Sequence, residues 1–500
     1  MKSVKSLLAV PFAAYVRNRI KKQMLTAAAD QLHLLEQLLR DAQHTVFGKA
    51  HRFHEIKDYN SYRQAVPIRD YEGFKPYIEK IKAGTQNVLW KGHPLYFAKT
   101  SGTTSGVKYI PISKDSIHNH IDTARNALLC YIAETGNHRL TDGKMIFLSG
   151  SPALERVGGI PTGRLSGIVN HHVPRYLRTN QLPSFETNCI EDWEAKLDKI
   201  VEETLHQPMT LISGIPPWMQ MYFDRLQAAS GKKIKELFPE LTLIVHGGVN
   251  FEPYRARLME SLGEPVDTLE TYPASEGFLA FQDQPDAEGL LLNTHSGIFF
   301  EFVPADEIFQ PHPTRLSLGE VQTGVNYAVV ITSNAGLWAY NLGDTVRFVS
   351  LNPYRIVVTG RISHFISAFG EHVIAEEVEQ SLQAVASQHR VKITEFTVAP
   401  RVQVSEGRPY HEWYIEFEQM PADLNRFAEE LDEQMRKRNI YYNDLITGHI
   451  LERLQIRLVR KNGFIDYMRA AGKLGGQNKL PRLSNDRYLA DALQAYLIPE

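Results

Sequence analysis

Lys99-Thr100-Ser101-Gly102-Thr103-Thr104-Ser105-Gly106-Val107-Lys108-Tyr109 decides how this 500-residue chain is read. Residues 101–108 carry four Ser/Thr hydroxyls, two glycines and a lysine. Apolar runs flank them, Leu95-Tyr96-Phe97 and Tyr109-Ile110-Pro111-Ile112. Glycine lets the backbone turn without a Cβ clash, so successive N–H groups can converge on one anion. The hydroxyls add donors and Lys108 adds charge, a composition suited to closing over a polyphosphate. It is not a Walker loop, because three residues rather than four separate Gly102 from Gly106 and Val107 precedes the lysine. Nor does it open a helix directly, since 109–112 reads as a strand. The plain alternative is a Ser/Thr/Gly-rich surface turn.

Two further segments share the pattern of a strand-like approach, a turn and an acid beside glycine. They are Thr268-Leu269-Glu270-Thr271-Tyr272-Pro273-Ala274-Ser275-Glu276-Gly277 and Trp338-Ala339-Tyr340-Asn341-Leu342-Gly343-Asp344-Thr345-Val346-Arg347-Phe348. Each alone is an ordinary turn. In this order, with the first loop, they resemble the three nucleotide-binding motifs of the adenylate-forming superfamily of acyl-CoA synthetases, adenylation domains and luciferases. The likeness narrows to one branch. Gln31-Leu32, Leu38-Leu39, Thr45-Val46-Phe47-Gly48-Lys49-Ala50-His51-Arg52-Phe53, Val66-Pro67-Ile68-Arg69-Asp70-Tyr71-Glu72, Pro76-Tyr77-Ile78, Gly84 and Gln477-Asn478-Lys479-Leu480-Pro481-Arg482 resemble the acyl acid–amido synthetases named after the auxin-responsive Gretchen Hagen genes. That likeness runs from about residue 30 to about residue 485, nearly the whole chain. It implies ATP-dependent activation of a carboxylic acid to an acyl-adenylate, commonly followed by transfer to an amino acid. The rivals are an acyl-CoA synthetase with a thiol acceptor and a non-catalytic acyl- or nucleotide-binding protein; intact Glu276, Asp344 and Lys479 speak against the second.

Composition agrees with a soluble enzyme of two or three domains: 43% hydrophobic, 22% charged, net charge −2. Such balance gives no broad drive toward nucleic acid. Two cysteines, Cys130 and Cys189, make no disulfide framework and no metal spacing, which fits reduced thiols in the cytoplasm. Lys2 and Lys5 precede a short apolar run broken by Pro11 and followed by Arg17, Arg19, Lys21 and Lys22. This reads as a basic amphipathic helix packed on the body, with loose membrane-surface contact open and no stable insertion expected.

Apolar runs ending at glycine, 145–150, 209–214 and 241–248, suit buried parallel strands whose ends carry ligands. Helical patterns alternate with them. One starts near Ser113, carries Ile117, Ile121, Ala124 and Leu128 on one face and stops at Gly136; others span 192–205 and 218–229. The expected fold class is α/β: a large N-terminal adenylate-forming domain (1–358) with β-sheets flanked by helices, a hinge (359–364), and a smaller α+β C-terminal lid (365–500). In the lid, Tyr410 to Phe417 alternates like a strand, Leu424, Phe427, Leu431 and Met435 form a helical stripe, and Leu451 to Val459 reads as strand again.

The resemblance implies roles residue by residue. Ser101, Gly102, Thr103, Thr104, Ser105, Gly106 and Lys108 would bind the β- and γ-phosphates of ATP, and Glu276, beside Ser275, would hold Mg²⁺. Tyr272 would stack on adenine against a wall of Gly247, Gly248, Val249 and Asn250. Asp344 would accept from the ribose hydroxyls, Arg361 would sit at the hinge near ribose or phosphate, and Lys479 would reach in from the lid during activation. Its alternative is a solvated lysine in a basic tail with Lys473 and Arg482. Pro273, Asn341 and Ile362-Ser363 depart from common versions of the motifs. Ile215, Pro216, Trp218 and Met219, at the end of a strand-like run, are candidates for an apolar acid pocket, although Trp and Met opening a helix also suit the core. His171-His172 has no third ligand spacing and reads as structural.

Overall fold

The runs that flank the first motif are strands, as expected. β1 (Tyr96–Ser101) and β2 (Val107–Ile112) pair antiparallel, with Thr100 opposite Lys108 and Ser101 opposite Val107. Pro111, which has no N–H to give, is tolerated because β2 is an edge strand. The computed structural model describes residues 4–101, 107–173, 178–248, 251–362, 365–366, 373–402, 404, 407–447, 451–474, 480–484 and 486–499. Gly102, Thr103, Thr104, Ser105, Gly106, Val249, Asn250 and Lys479 lie outside them.

The chain divides into two units. The first holds Met1–Phe251, Leu258–Leu342 and Val346–Val358; the second holds Glu252–Arg257, Gly343–Thr345 and Thr359–Glu500.

In the first unit, β3 (Lys144–Phe147) joins the large sheet, while β4 (Glu155–Val157) and β5 (Ile160–Gly163) complete the sheet β2-β1-β5-β4. The large sheet continues with β6 (Gln181–Leu182), β7 (Met209–Gly214), β8 (Leu243–Gly247) and β9 (Asp267–Ala274). These run parallel side by side, in the order β6-β3-β7-β8-β9. The three glycine-terminated runs are thus β3, β7 and β8. From β10 (Gly277–Phe281) and β11 (Leu290–Leu292) onward the sheet includes antiparallel pairs. It continues through β12 (Ile298–Pro304), β13 (Leu316–Ser317), β14 (Asn326–Ser333), β15 (Tyr340–Leu351) and β16 (Tyr354–Arg361).

Asp192 caps helix Trp193–Thr204 by accepting from the Ala195 N–H at 2.7 Å, satisfying an otherwise orphan donor. Helix Ile117–Thr135 ends at Gly136 in a left-handed conformation, as its sequence predicts. Its buried face differs from the expected stripe. Ile117 is buried, but Ile121, Ala124 and Leu128 are only partly so, and Asn119, His120 and Thr123 are buried instead. The N-terminal helix Val4–Met24 packs Ala13, Val16 and Ile20 into the same core cluster as Leu129 and Ile132. Among the described residues no helix is long and apolar enough to cross a membrane.

A buried ion pair locks the N-terminal segment to β12. Arg315 donates to Glu301 at 2.8 and 2.9 Å, and also to the carbonyls of Val66 (2.6 Å) and Arg63 (3.0 Å). The Tyr59 hydroxyl donates to Glu301 at 3.1 Å. Gln31, from the family-like opening, is buried and bridges the carbonyls of Thr294 and Ile298 and the Phe300 N–H.

In the second unit, β17 (Phe365–Ile366) pairs with β18 (Val373–Ile374), and β19 (Lys392–Arg401), β20 (Tyr410–Gln419) and β21 (Gln455–Leu458) form a three-stranded sheet. Alternation along β20 sends Trp413 and Ile415 into a core with helices Ala375–His389 and Leu424–Arg438, and Tyr414 into a second core on the opposite face. Phe427, Leu431 and Met435 are buried as expected, with Leu424 half-exposed. The 451–459 strand shrinks to four residues; Leu451 and Leu454 enter the core ahead of it.

Arg315→Leu should destabilise the first unit by about 3–5 kcal/mol, because Glu301 would be left buried and unpaired. The double variant Glu301→Leu/Arg315→Leu should recover much of that loss. Chemical denaturation of both variants beside the wild type measures this.

Candidate active site

The parallel strands of the first unit bring several motif residues to one edge. Gly247 closes β8 opposite Thr271 of β9, and the Thr271 hydroxyl donates to the His246 carbonyl at 2.9 Å. A Cβ on Gly247 would overlap the Thr271 carbonyl oxygen. Gly248 follows with φ of +80°, a conformation that favours glycine. Both glycines are therefore demanded by the backbone itself. The His246 ring stacks on Phe251 at 3.9 Å between centroids.

β9 then turns into β10 through Ser275 and Glu276 alone, with Ala274 opposite Gly277. Glu276 is half-buried and accepts from the Tyr340 hydroxyl at 3.3 Å. Asn119 clamps the turn from the neighbouring helix. Its Oδ1 accepts from the Phe278 N–H at 2.6 Å, while its Nδ2 donates to Ser296 Oγ at 2.8 Å. Tyr272 is 7% exposed on β9, opposite Ala280. Pro273 is exposed opposite Phe278, and the Asn341 N–H donates to the Arg69 carbonyl at 2.8 Å.

Lys108 stands on β2 with its Nζ 5.8 Å from the Tyr71 ring centroid, and the Tyr71 hydroxyl accepts from the Tyr109 N–H at 2.9 Å. After β7, Ile215 is half-exposed ahead of helix Pro216–Ser230. Pro216, Trp218 and Met219 are buried, and Trp218 packs on Trp193 at 4.6 Å. His171 and His172 follow helix Leu165–Asn170. One ring bonds the Pro152 carbonyl at 2.8 Å, the other the Tyr96 hydroxyl at 3.1 Å. No cluster of potential metal ligands occurs among the described residues.

In the second unit, Arg361 Nε lies 3.0 Å from Asp344 Oδ1, and the Ile362 N–H donates to the Gly343 carbonyl at 2.8 Å. Gly343 has φ of +84°. Beyond position 479, Arg482 is largely covered, with its side chain 12% exposed, rather than part of a solvated basic tail. It pairs with Glu395 and, at 3.2 Å, with Glu379, and donates to the Tyr254 hydroxyl at 2.6 Å. Its backbone is fixed too: its carbonyl accepts from the Val398 N–H at 2.9 Å, and the Ser484 N–H donates to the Val398 carbonyl at 3.0 Å.

Asn119 and Tyr340 escaped the sequence reading. The signal for Asn119 was a run of polar side chains, Asn119, His120 and Thr123, inside an otherwise apolar helical pattern; Tyr340 stood in the third motif without a role.

Models of the GH3 family N-terminal, central and C-terminal domains match residues 16–188, 291–361 and 376–488. The chain belongs to the GH3 family. This GH3 chain is 21% identical over 537 residues to a jasmonoyl–L-amino acid synthetase of Nicotiana attenuata, covering 92% of each. It is 26% identical over 512 residues to an indole-3-acetic acid-amido synthetase of Oryza sativa subsp. indica, covering 85% of the chain and 83% of the relative. Among solved structures it resembles an acyl acid amido synthetase in complex with 2,4-DB, with a TM-score of 0.78 at 16% identity, covering 97% and 96% of the two chains. A 2-hydroxyisobutyryl-CoA ligase shares the fold at a TM-score of 0.55 and 12% identity, covering 96% and 91%.

Gly247→Ala should destabilise the protein by about 2 kcal/mol or more, because the added Cβ meets a backbone carbonyl that cannot rotate away. Gly319→Ala, whose Cβ would meet only Ala28 Cβ at 3.6 Å, should stay within about 0.5 kcal/mol of wild type. Thermal or urea unfolding of the two variants gives the comparison.

Proposed function

We infer that this GH3 protein is an ATP-dependent acid–amino acid ligase. It activates a carboxylic acid as an acyl-adenylate with release of pyrophosphate, then passes the acyl group to an amino acid amine with release of AMP. Family membership supports the reaction class, and the relatives' names supply the substrate classes: an organic acid such as a jasmonate or auxin, and an amino acid. The observation that carries the site is the gathering of Gly247, Gly248 and the Ser275–Glu276 turn at the C-terminal edge of β8 and β9. Ligands bind at that edge in α/β sheets.

Adenylation brings two anions together, so the protein's task is to hold them and neutralise developing charge. Residues 101–108 would bind phosphates, with Lys108 as the cation. Tyr272 would face adenine across from Gly248, Val249 and Asn250. A half-buried carboxylate at a strand-end turn suits a hard divalent cation, so Glu276, beside Ser275, would hold Mg²⁺, which would shield the phosphates. Asp344 would take the ribose hydroxyls, and Arg361, its ion-pair partner, ribose or phosphate. We assign Lys479 to the activation step on a C-terminal lid of residues 365–500, hinged at 359–364. Ile215, at the mouth of β7, would edge the acid pocket, with Pro216, Trp218 and Met219 supporting it from behind. A cytoplasmic setting supplies the ATP.

Purified protein with ATP and Mg²⁺ should release pyrophosphate with at least one acid of a carboxylic-acid panel, before any acceptor is added. Amino acids should then yield amide and AMP. ADP and phosphate as products would overturn adenylation, and thioester formation from CoA without amide would make the protein an acyl-CoA synthetase. Glu276→Ala should raise the Mg²⁺ requirement while keeping the melting temperature. Lys479→Ala should slow adenylation by about 10²-fold or more, with a much smaller change in ATP affinity.

A further inference from the structure

The first unit places two cations near each other with no carboxylate paired to either among the described residues. Arg164 follows β5 directly, in a strand register that sets Gly163 opposite Ala98 of β1. Its stem lies over Gly150, just after β3: a Cβ there would fall 2.5 Å from Arg164 Cδ. Gly150 therefore leaves room for this arginine. Among the described residues the guanidinium makes no hydrogen bond and no ion pair, and its half-burial pulls the pKa down. Lys196 lies close by and is 3% exposed. It donates to the carbonyls of Ser149 at 2.9 Å and Asn188 at 2.8 Å. Burial, opposed by the Cys189 thiol and helped by the nearby Arg164 charge, lowers its pKa to about 8. The neighbouring Asn188 Oδ1 is buried without a hydrogen bond.

Elsewhere the unit pairs its buried arginines with carboxylates, Arg315 with Glu301 and Arg355 with Asp283. A desolvated cation with no partner costs stability, so Arg164 contributes little to the fold of the empty protein. Its place is the end of β5, beside the strand that leads into the 101–108 loop, over the loop after parallel strand β3. A guanidinium presents paired N–H donors that match a carboxylate.

We propose that Arg164, with Lys196 behind it, is a carboxylate-binding site that holds one of the two organic acids joined in the reaction. This rests on the ligase reading given above. The carboxylate is either that of the donor acid before activation or the α-carboxylate of the acceptor amino acid.

The test uses full-length wild type, Arg164→Met, which keeps the stem over Gly150, and Arg164→Lys. Pyrophosphate release is followed against donor acid without acceptor. Amide formation is followed against the amino acid and against its carboxamide. Arg164→Met should raise the KM of one acid by about tenfold or more, with kcat changed much less, and Arg164→Lys should recover part of it. A donor role shows in pyrophosphate release. An acceptor role leaves that step unchanged and abolishes the preference for the amino acid over its carboxamide. The melting temperature of the ligand-free Met variant should equal or exceed that of the wild type; a clear fall would make Arg164 a structural residue and overturn the proposal. Unchanged KM values with normal adenylation would overturn the site and leave the ligase reading intact. If no acid supports adenylation, calorimetric titration with the same acids and amino acids decides the site alone. Carboxylate binding lost in Arg164→Met supports it; equal binding, or none in wild type, overturns it.

Discussion

Between β8 and β9 the carbonyl of Thr271 comes too close to Gly247 for any side chain to intervene. That approach fixes the parallel register at the edge where the motif residues gather. Once the register is set, Gly248 turns away at positive φ and β9 runs on to a two-residue turn, which lifts Glu276. Helix Ile117–Thr135 then fastens the turn through Asn119 and Phe278, and Tyr340 reaches Glu276 from β15. A backbone contact, a side-chain clamp and a phenol hold this carboxylate in place, as the cation-binding role proposed for it requires.

Charge is treated in the same economical way. Arg315 and Arg355 are buried, Arg482 is largely covered, and each faces carboxylates, so each lowers its own desolvation cost while tying distant segments together. Arg164 breaks that rule. Arg69, half-buried too, at least meets the His51 ring nitrogen at 2.9 Å, whereas the Arg164 guanidinium meets no polar partner among the described residues.

Much of this was legible in the sequence, because strand and turn signals are local. The 209–214 run is β7 to the residue, Gly136 ends its helix, and the apolar runs on either side of the first motif are strands. What escaped was non-local. Asn119 reads as a blemish in an apolar stripe, yet its partner is 159 positions away. Arg482 reads as one more base in a charged tail, yet it is neutralised by Glu379 and Glu395. Apolar periodicity finds helix faces that bury hydrocarbon and misses faces that bury hydrogen bonds.

The anchoring of Arg482 sets a leash on Lys479. Both the side chain and the backbone of Arg482 are tied into the second unit. Three residues of fully extended chain span about 10 Å at most. However the intervening residues are arranged, the Lys479 Cα stays within that radius of the Arg482 Cα, and its ammonium within that radius plus the length of its own side chain. An excursion longer than the leash must carry Arg482, its acidic partners and the sheet behind them along. For Lys479, travel is a property of the unit and not of the loop.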